Sequence, residues 1–371
     1  MIKLLIGGSP CTFWSIAQKN GRETEAEGMG WELFKNYLMA KEKFKPDFFL
    51  YENNKSAAQA IKSQIKKELK VWDGTLLTED TGARYIEINS ALVSGQTRQR
   101  FYVHNCGEVE QPEDRGILLK DILESGVGQR QQDKSKTITA GYVACSQRDM
   151  RMDIETDGFM GKQGVIEPIR VGALPRPNGA LSTSQAMRIY SVDGKSVTQS
   201  AGGGGMGGKT GLYAIPADGK SYPVYEVKDG YITIKGKQYP IKLADGWYII
   251  RKPTVTECCR LQTMPDDYCR AVSNTQAYKG LGNGWTAEVI IHILNGALKN
   301  IPKDEEIVVL SMYDGIGTGR YCLDKMGFTN VKYYAYEIDK YAKQIAMSNY
   351  PDIIQMGDAF DLRNPDWTIG Y

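Results

Sequence analysis

The sequence contains no apolar run approaching the roughly 20 residues of a membrane-spanning helix, so a membrane protein is not expected. It has no CxxC pair and only two histidines, His104 and His292, so no metal site is expected either. Seven cysteines, two of them adjacent, suit no disulfide framework and favour a reducing compartment, the cytoplasm. The net charge is only +2, so any nucleic-acid surface must come from local clusters of Lys and Arg.

The 371 residues, 42% of them hydrophobic, suffice for two compact units, and the carboxyl-terminal part has the pattern of a nucleotide-binding half-sheet. A β-branched run, Ile307–Met312, precedes the glycine-rich segment Tyr313–Gly319 and a helix-like stretch. A second run, Lys332–Tyr336, ends in Glu337, about 20 residues on, where an acid accepts ribose hydroxyls. The plainer alternative is a carboxylate in a turn at a strand end.

This half-sheet stops before it is complete. A helix over Asp339–Asn349 and a third strand near Ile353–Met356 place Asp358 where it would meet an adenine amino group. The sequence ends about 15 residues later, although a doubly wound sheet needs further strands. The apolar run Met1–Ile6 is a buried-strand candidate, and we expect it to be the fourth strand. The predicted fold class is therefore α/β, with a Rossmann-like sheet assembled from both termini.

The segments after the first strands supply candidate chemistry. Cys11 follows Gly-Gly-Ser-Pro directly after the first strand, and Glu52 follows the apolar run Phe48–Tyr51. Arg98 and Arg100 alternate between two strand-like runs that predict a hairpin, which places both side chains on one face. The alternatives are a small buried cysteine, an exposed strand-end acid and a solvated charged face.

These segments resemble the motifs of the DNA (cytosine-5) methyltransferases. The matching segments are Gly8–Cys11 for the nucleophile motif, Glu52–Asn54 for the ENV motif, Gln96–Arg100 for the QxRxR motif, Thr256–Asp266 for the motif ending in RLQxFPD and Gly282–Trp285 for the last motif. Tyr313–Gly317 and Glu337 resemble the first two motifs of the family, which here stand last. The resemblance therefore implies a circularly permuted motif order, with the usual termini joined within Lys299–Glu306.

The resemblance implies methyl transfer from S-adenosylmethionine to C5 of a cytosine flipped out of a specific duplex sequence. Cys11 would add to C6, because C5 becomes nucleophilic only after a thiolate has converted the ring to an enamine. Glu52 would protonate or hydrogen-bond N3, and Arg98 or Arg100 would hold the base or Glu52. The cofactor-binding residues implied are Pro10, Asn283, Trp285, Tyr313, Asp314, Gly315, Ile316, Gly317, Glu337, Ile338, Asp358 and Ala359.

Three parts of the chain are predicted: a first catalytic part over residues 1–125, a target-recognition domain over 126–270 and a second catalytic part over 271–371. The middle is rich in Gly, Ser, Thr and short β-like runs, with a flexible tract at Gly202–Gly205. Its basic residues, among them Arg170, Arg176, Arg188, Lys195 and Lys209, suit phosphate contacts but are equally typical of solvated loops. Thr256–Asp266 is interpreted as support for this recognition domain.

Thr12–Trp31 has the composition of a mobile lid. The resemblance implies that this lid closes on DNA, although Thr12 stands where many members of the resembled family have Gln. The implied partner is double-stranded DNA, bound by a monomer in a prokaryotic or virus-infected prokaryotic cell. A cognate restriction endonuclease would act separately. The alternatives are an RNA cytosine-5 methyltransferase, an inactive DNA-binding regulator of the same fold, and a nicotinamide-linked oxidoreductase, which would leave the Pro-Cys and QxRxR segments unexplained.

Overall fold

The computed structural model describes residues 1–15, 21–72, 74, 80–124, 166–176, 178–199, 211–217 and 225–370, and for Cys11 the backbone only. The predictions about the glycine tract Gly202–Gly205, Lys209 and residues 126–165 lie outside the described residues, as does part of the predicted lid.

The elements are, in chain order, β1 (Ile2–Gly7), α1 (Gly28–Phe44), β2 (Phe48–Asn54), α2 (Gln59–Glu68), β3 (Arg84–Asn89), β4 (Gln99–His104), α3 (Leu119–Ile122), β5 (Arg170–Ala173), β6 (Arg188–Ser191), β7 (Leu212–Ala217), β8 (Tyr225–Lys228), β9 (Tyr231–Ile234), β10 (Lys237–Pro240), β11 (Gly246–Arg251), α4 (Val255–Leu261), α5 (Asn274–Asn283), α6 (Ala287–Leu298), β12 (Ile307–Met312), α7 (Thr318–Lys325), β13 (Val331–Tyr336), α8 (Lys340–Asn349) and β14 (Ile354–Gly357). No helix in these described stretches is long and apolar enough to cross a bilayer.

The main sheet contains strands from both ends of the chain, in the order β14-β13-β12-β1-β2-β4-β3. The first strand lies between β12 and β2 and is parallel to both, with Leu5 paired to Leu310 on one side and to Phe49 on the other. The hairpin of β3 and β4 adds two antiparallel strands, so the sheet is mixed. This order agrees with the predicted position of Met1–Ile6 beside the first strand of the carboxyl-terminal half-sheet.

Helices cover the main sheet on both faces. Leu5 belongs to a buried cluster with Phe34 and Tyr37 of α1, whereas Leu4 belongs to the opposite cluster with Ile290 of α6. Successive side chains of a strand point to opposite faces, so both faces of β1 demand apolar residues. This explains why the central strands read as continuous apolar runs, and it leaves the carboxyl edge of the sheet for polar chemistry.

A second seven-stranded sheet, in the order β10-β9-β8-β11-β7-β6-β5, is built from the middle of the sequence. Its pairs are antiparallel except for β6 and β7. Val227, Ile232 and Ile250 lie in a core of its own. The described part of the middle segment therefore carries a hydrophobic cluster of its own.

The segment that follows β11 packs with the main sheet. Cys258, Cys259 and Tyr268 lie in the same buried cluster as Ile290 of α6. Arg251 at the end of β11 pairs at 2.6 Å with the buried carboxylate of Glu257 in α4. Thr256–Asp266 thus contacts the middle segment through Glu257 and through Leu261, which packs with Tyr213 and Ile249 of the second sheet, while its other apolar side chains fill the main core.

Candidate functional site

A cavity of about 320 Å³ opens at the carboxyl edge of the main sheet, between the ends of β1, β2, β12, β13 and β14. This is the edge where ligands bind in open α/β sheets. The predicted site residues that line it are Pro10, Glu52, Arg98, Arg100, Asn283, Trp285, Tyr313, Asp314, Gly315, Ile316, Glu337, Ile338, Asp358 and Ala359. Gly317 instead lies behind the turn, where an added Cβ would meet Ala346 at 3.1 Å.

The glycine turn after β12 is joined to the acid at the end of β13. The amide of Gly315, at φ +64°, donates to Oε2 of Glu337 at 2.8 Å. Oε1 of Glu337 accepts from the amides of Ile338 and Asp339 at 2.8 and 2.7 Å. A carboxylate has about four acceptor positions, so Glu337 retains capacity for a ligand hydroxyl while its orientation is set by the backbone.

Asp314 contributes a carboxyl group to the cavity wall. Ser311 and Tyr333 donate to its Oδ1 at 2.7 and 2.6 Å. Its Oδ2 is buried and has no hydrogen-bond partner within the described part of the chain, and the same holds for the hydroxyl of Thr318. Burial raises the pKa of Asp314 to about 6. These two polar atoms call for a ligand that brings a donor or a positive charge.

The opposite wall suits an aromatic ring. Ile338 is a large apolar side chain that is 72% exposed at the cavity. Asp358, at the end of β14, accepts from the amide of Phe360 at 3.0 Å. An exposed aliphatic side chain beside a fixed carboxylate provides a surface for a ring and an acceptor for a ring amino group.

Glu52 and Arg100 form an ion pair on the side of the cavity nearer β2. Arg100 pairs across the strands with Asn54, two residues beyond Glu52, so both side chains lie on the same face. The Arg100 Nε lies 3.0 Å from Glu52 Oε1, with the side chains 9% and 13% exposed. The indole Nε1 of Trp285 donates to the other oxygen, Oε2, at 3.1 Å. Glu52 thus has a donor on each carboxylate oxygen.

Asn53 is a residue of this site that sequence reasoning missed. It is fully buried, and its Nδ2 donates to the backbone oxygen of Ser9 at 2.9 Å and to the Tyr51 hydroxyl at 3.1 Å. It therefore holds the loop that leads into Cys11, whose backbone begins a 3₁₀ turn over Cys11–Phe13. The signal available in the sequence was the amide side chain directly after Glu52, because a buried Asn requires hydrogen-bond partners.

The two arginines contact different partners. Arg98 donates to the backbone oxygens of Gly282, Gly284 and Gln199 at 3.2, 2.8 and 3.1 Å. The spacing of Arg98 and Arg100 predicts that both side chains lie on one face of a strand. Strand β4 begins only at Gln99, so Arg98 lies outside it and the alternation does not apply to Arg98. Arg100 is thus the arginine beside Glu52, and Arg98 joins the Gly282–Trp285 turn to Gln199, in the segment that follows β6.

Lys195 does not offer its charge to solvent, contrary to the expectation for a basic residue of the recognition region. The side chain is 1% exposed, and its Nζ donates to the backbone oxygens of Ala91, Ser94 and Ile117 at 2.6, 3.2 and 2.6 Å. Burial lowers the pKa of Lys195. The lysine joins the second sheet to the turn that leads into Arg98, so a phosphate contact by this residue is excluded in this conformation.

The described ends of the predicted lid are anchored. Glu23 accepts from the Trp14 indole at 3.0 Å and from the Gly30 amide at 3.1 Å. Arg22 donates to the backbone oxygen of Ser56 at 2.6 Å. The final residues of the segment already belong to α1, which begins at Gly28. Residues 16–20 of the segment lie outside the described residues, so the lid stays a prediction.

A Gly8→Ala substitution is expected to destabilise the loop that leads into Cys11. An added Cβ would lie 2.3 Å from the backbone oxygen of Glu52, so the loop must move away from β2. We expect a loss of about 1–3 kcal/mol in the free energy of unfolding, measured by urea denaturation. Gly370→Ala is the control, because nothing lies within 4 Å of a Cβ there. Equal stability of the two variants would contradict the close packing of this loop on β2.

The chain is similar to a family model, to a relative in sequence and to solved structures. A family model described as C-5 cytosine-specific DNA methylase matches residues 1–299. The Type II methyltransferase M.HhaI of Haemophilus parahaemolyticus is 24% identical over 308 residues, which are 80% of this chain and 75% of that protein. Among solved structures, the S. pombe Dnmt2 methyltransferase has a TM-score of 0.37 at 14% identity and covers 79% of this chain and 77% of its own. A Spodoptera frugiperda DNMT2 variant has a TM-score of 0.35 at 14% identity, covering 78% of each chain.

Proposed function

This chain belongs to the C-5 cytosine-specific DNA methylase family, and we propose that it methylates C5 of a cytosine within a specific sequence of duplex DNA. The observation that carries the proposal is the pairing of Glu52 with Arg100 beside the loop of Cys11, in the same cavity as the glycine turn. A nucleotide-binding turn alone is common to many folds. A carboxylate that is paired with an arginine, next to a Pro-Cys segment at that turn, suits the addition of a thiolate to a ring carbon.

Members of this family use S-adenosylmethionine as methyl donor, and the cavity fits it. When bound, the donor supplies an electrophilic methyl group carried by a positively charged sulfur. Glu337 would accept ribose hydroxyls, Asp358 and Ile338 would hold the adenine, and the orphaned oxygen of Asp314 would face the positive charge. A volume of about 320 Å³ lies within the range of small-molecule sites.

We assign the chemistry of the base to Cys11, Glu52 and Arg100. The Cys11 thiolate adds to C6 while Glu52 gives a proton to N3, so that the electron pair of the C5–C6 double bond becomes available at C5. After C5 is methylated, a base removes the C5 proton, the bond between Cys11 and C6 breaks, and N3 returns its proton to Glu52, which restores the aromatic ring. Arg100 holds the Glu52 carboxylate, and Arg98 supports the neighbouring turn.

The order of the parts along the chain is proposed to be a circular permutation. The family match ends at residue 299, before the strand and glycine turn at Ile307–Gly319, while β12 pairs with β1. We assign residues 1–125 and 271–371 to the catalytic domain and 126–270, which contains the second sheet, to target recognition. The target base must leave the duplex, since C6 is inaccessible in the stack. We propose action as a monomer, separate from any endonuclease.

The proposed function is tested by base-resolution bisulfite sequencing of DNA from an unmethylated host that expresses this chain. Protection of cytosines within one short sequence is the expected result. A parallel assay with the purified protein, radiolabelled S-adenosylmethionine, duplex DNA and structured RNA separates the substrates. Methylation of RNA alone would replace DNA as the substrate, and labelling of neither by a folded protein that binds the donor would overturn the proposal.

Affinity for S-adenosylmethionine is expected to depend on pH through Asp314. The raised pKa of about 6 means that this carboxyl group is largely protonated at pH 5 and ionised at pH 7 to 8. A positively charged ligand favours the ionised form, so affinity should fall about tenfold per pH unit below pH 6 and level off above pH 7. Calorimetric titration at pH 5 to 8 checks this, and Asp314→Asn should flatten the profile. An unchanged slope in that variant would contradict the assignment.

A further inference from the structure

Trp285 connects the two halves of the cavity. Its ring lines the cavity together with Asp314 and Ile316 of the glycine turn, and its indole N–H is directed at Glu52 across 233 residues of sequence. The sequence suggests packing against the methyl donor as the role of this tryptophan. A ring that only packs on a ligand needs no hydrogen-bond partner, so the bond to Glu52 requires a separate account.

The two donors hold the Glu52 carboxylate at both ends. Arg100 lies 3.0 Å from Oε1, and Trp285 donates to Oε2 at 3.1 Å. Gly8 packs against the same side, since an added Cβ would lie 3.1 Å from Oε2. Rotation of the carboxylate would break both contacts, so its plane is defined by two groups from different parts of the chain.

The backbone around Trp285 is itself fixed. Arg98 donates to the oxygen of Gly284 at 2.8 Å, immediately before the tryptophan. Immediately after it, the buried Thr286 hydroxyl donates to Gln262 Oε1 and accepts from Ser90, both at 2.9 Å. The indole is therefore carried by a segment that buried hydrogen bonds hold on both sides.

The chemistry of the two donors directs the proton. The indole N–H is a donor only, and a guanidinium does not lose its proton in proteins. Neither group can accept a proton from Glu52, so neither competes with the N3 atom of a bound cytosine. An anchor that accepts protons, such as a carboxylate, would compete with the base.

We propose that Trp285 is a positioning residue, which through its indole N–H orients the Glu52 carboxylate for proton transfer to N3 of the target cytosine. The inference rests on the proposed function. It assigns to Trp285 a role in activation of the base, a step that precedes methyl transfer and requires no methyl donor.

The test separates base activation from donor binding. Addition of Cys11 to C6 lets C5 take a proton from solvent, and loss of a C5 triton followed by elimination of Cys11 returns cytosine. Release of tritium from duplex DNA labelled at C5, without S-adenosylmethionine, therefore reports activation alone. We expect Trp285→Phe to lower the release rate about tenfold and to change the Kd for S-adenosylmethionine less than twofold.

Matched variants keep the outcome decisive. Trp285→His places a ring N–H at the equivalent position and should release tritium faster than Trp285→Phe. If Trp285→Phe does not fold, Trp285→Met takes its place in the test as a second variant without the N–H. Trp72→Phe removes an indole N–H outside the cavity lining and should match the wild type.

Unchanged tritium release in Trp285→Phe, together with weaker binding of the donor, would show a cofactor-packing role and overturn the inference. Equal rates for the His and Phe variants would also overturn it, because the N–H would then be irrelevant. Absence of both tritium release and methylation in the wild-type protein would instead reject the proposed function. The two failures are thus distinguishable.

Discussion

Cys11→Ser is expected to lower methyl transfer to DNA by about 10³-fold or more and to abolish the covalent adduct with the base. A serine hydroxyl is far less nucleophilic than a thiolate at neutral pH, and no histidine or other base follows it in the Gly8–Phe13 segment. The measurement combines methyl incorporation with trapping on duplex DNA that contains 5-fluorocytosine, read on a denaturing gel. The fluorine cannot leave as a proton does, so the adduct persists.

The other described cysteines are poor candidates for this role. The five whose side chains are described, Cys106, Cys258, Cys259, Cys269 and Cys322, are all buried. Burial raises the pKa of Cys106 to about 12 and that of Cys258 and Cys322 further above the ordinary value. Cys106→Ser is therefore the matched control and should keep the adduct. An adduct that survives in Cys11→Ser and disappears in another cysteine variant would contradict the assignment.

Glu52→Gln is expected to lower kcat by about 10²- to 10⁴-fold, the usual contribution of a general acid. The amide keeps the shape of the side chain but cannot transfer a proton to N3, and it leaves the buried guanidinium of Arg100 without its counter-charge. Adduct formation should slow in parallel, because thiolate addition and protonation at N3 are coupled. Single-turnover methylation and trapping rates, with the Kd for S-adenosylmethionine, provide the measurement.

Glu87→Gln is the control for this substitution. Glu87 lies in β3, the edge strand of the same sheet, and pairs with Lys55 at 3.0 Å, but it does not line the cavity. It should retain wild-type rates, which excludes a general effect of removing a paired carboxylate from this sheet. A Glu52→Gln enzyme that methylates at the normal rate would show that the proton on N3 has another source.

Much of the main sheet could be predicted from the sequence. The expected strand Ile307–Met312 is present over the same residues, and the expected third strand near residues 353–356 is found at Ile354–Gly357. The predicted helix over Asp339–Asn349 is found over Lys340–Asn349. Strands buried on both faces require unbroken apolar runs, so they are visible in a single sequence. The turn residues at the carboxyl ends of these strands can be recognised in the sequence because they follow directly after the apolar runs.

The partners of the polar residues could not be predicted in this way. Arg98 and Arg100 have the spacing of one strand face, yet only Arg100 lies within β4, and it is Arg100 that forms the ion pair with Glu52 at 3.0 Å. The segment around Lys195 has the composition of a solvated loop. The Nζ of Lys195 nevertheless donates to three backbone oxygens. The partner of a polar side chain depends on segments far apart in the chain. The local spacing of residues carries no information about which segments come together.

The sequence by itself determined the α/β class, the strand that each terminus contributes to the main sheet and the kinds of reactive group at its edge. These follow from apolar periodicity and from the residue types that a given chemistry requires. Only the tertiary structure decided which arginine faces Glu52, that Asn53 holds the loop of Cys11 and that Trp285 donates to the acid. A buried polar group must find a partner wherever the fold brings one, and that proximity exists only after the chain has folded.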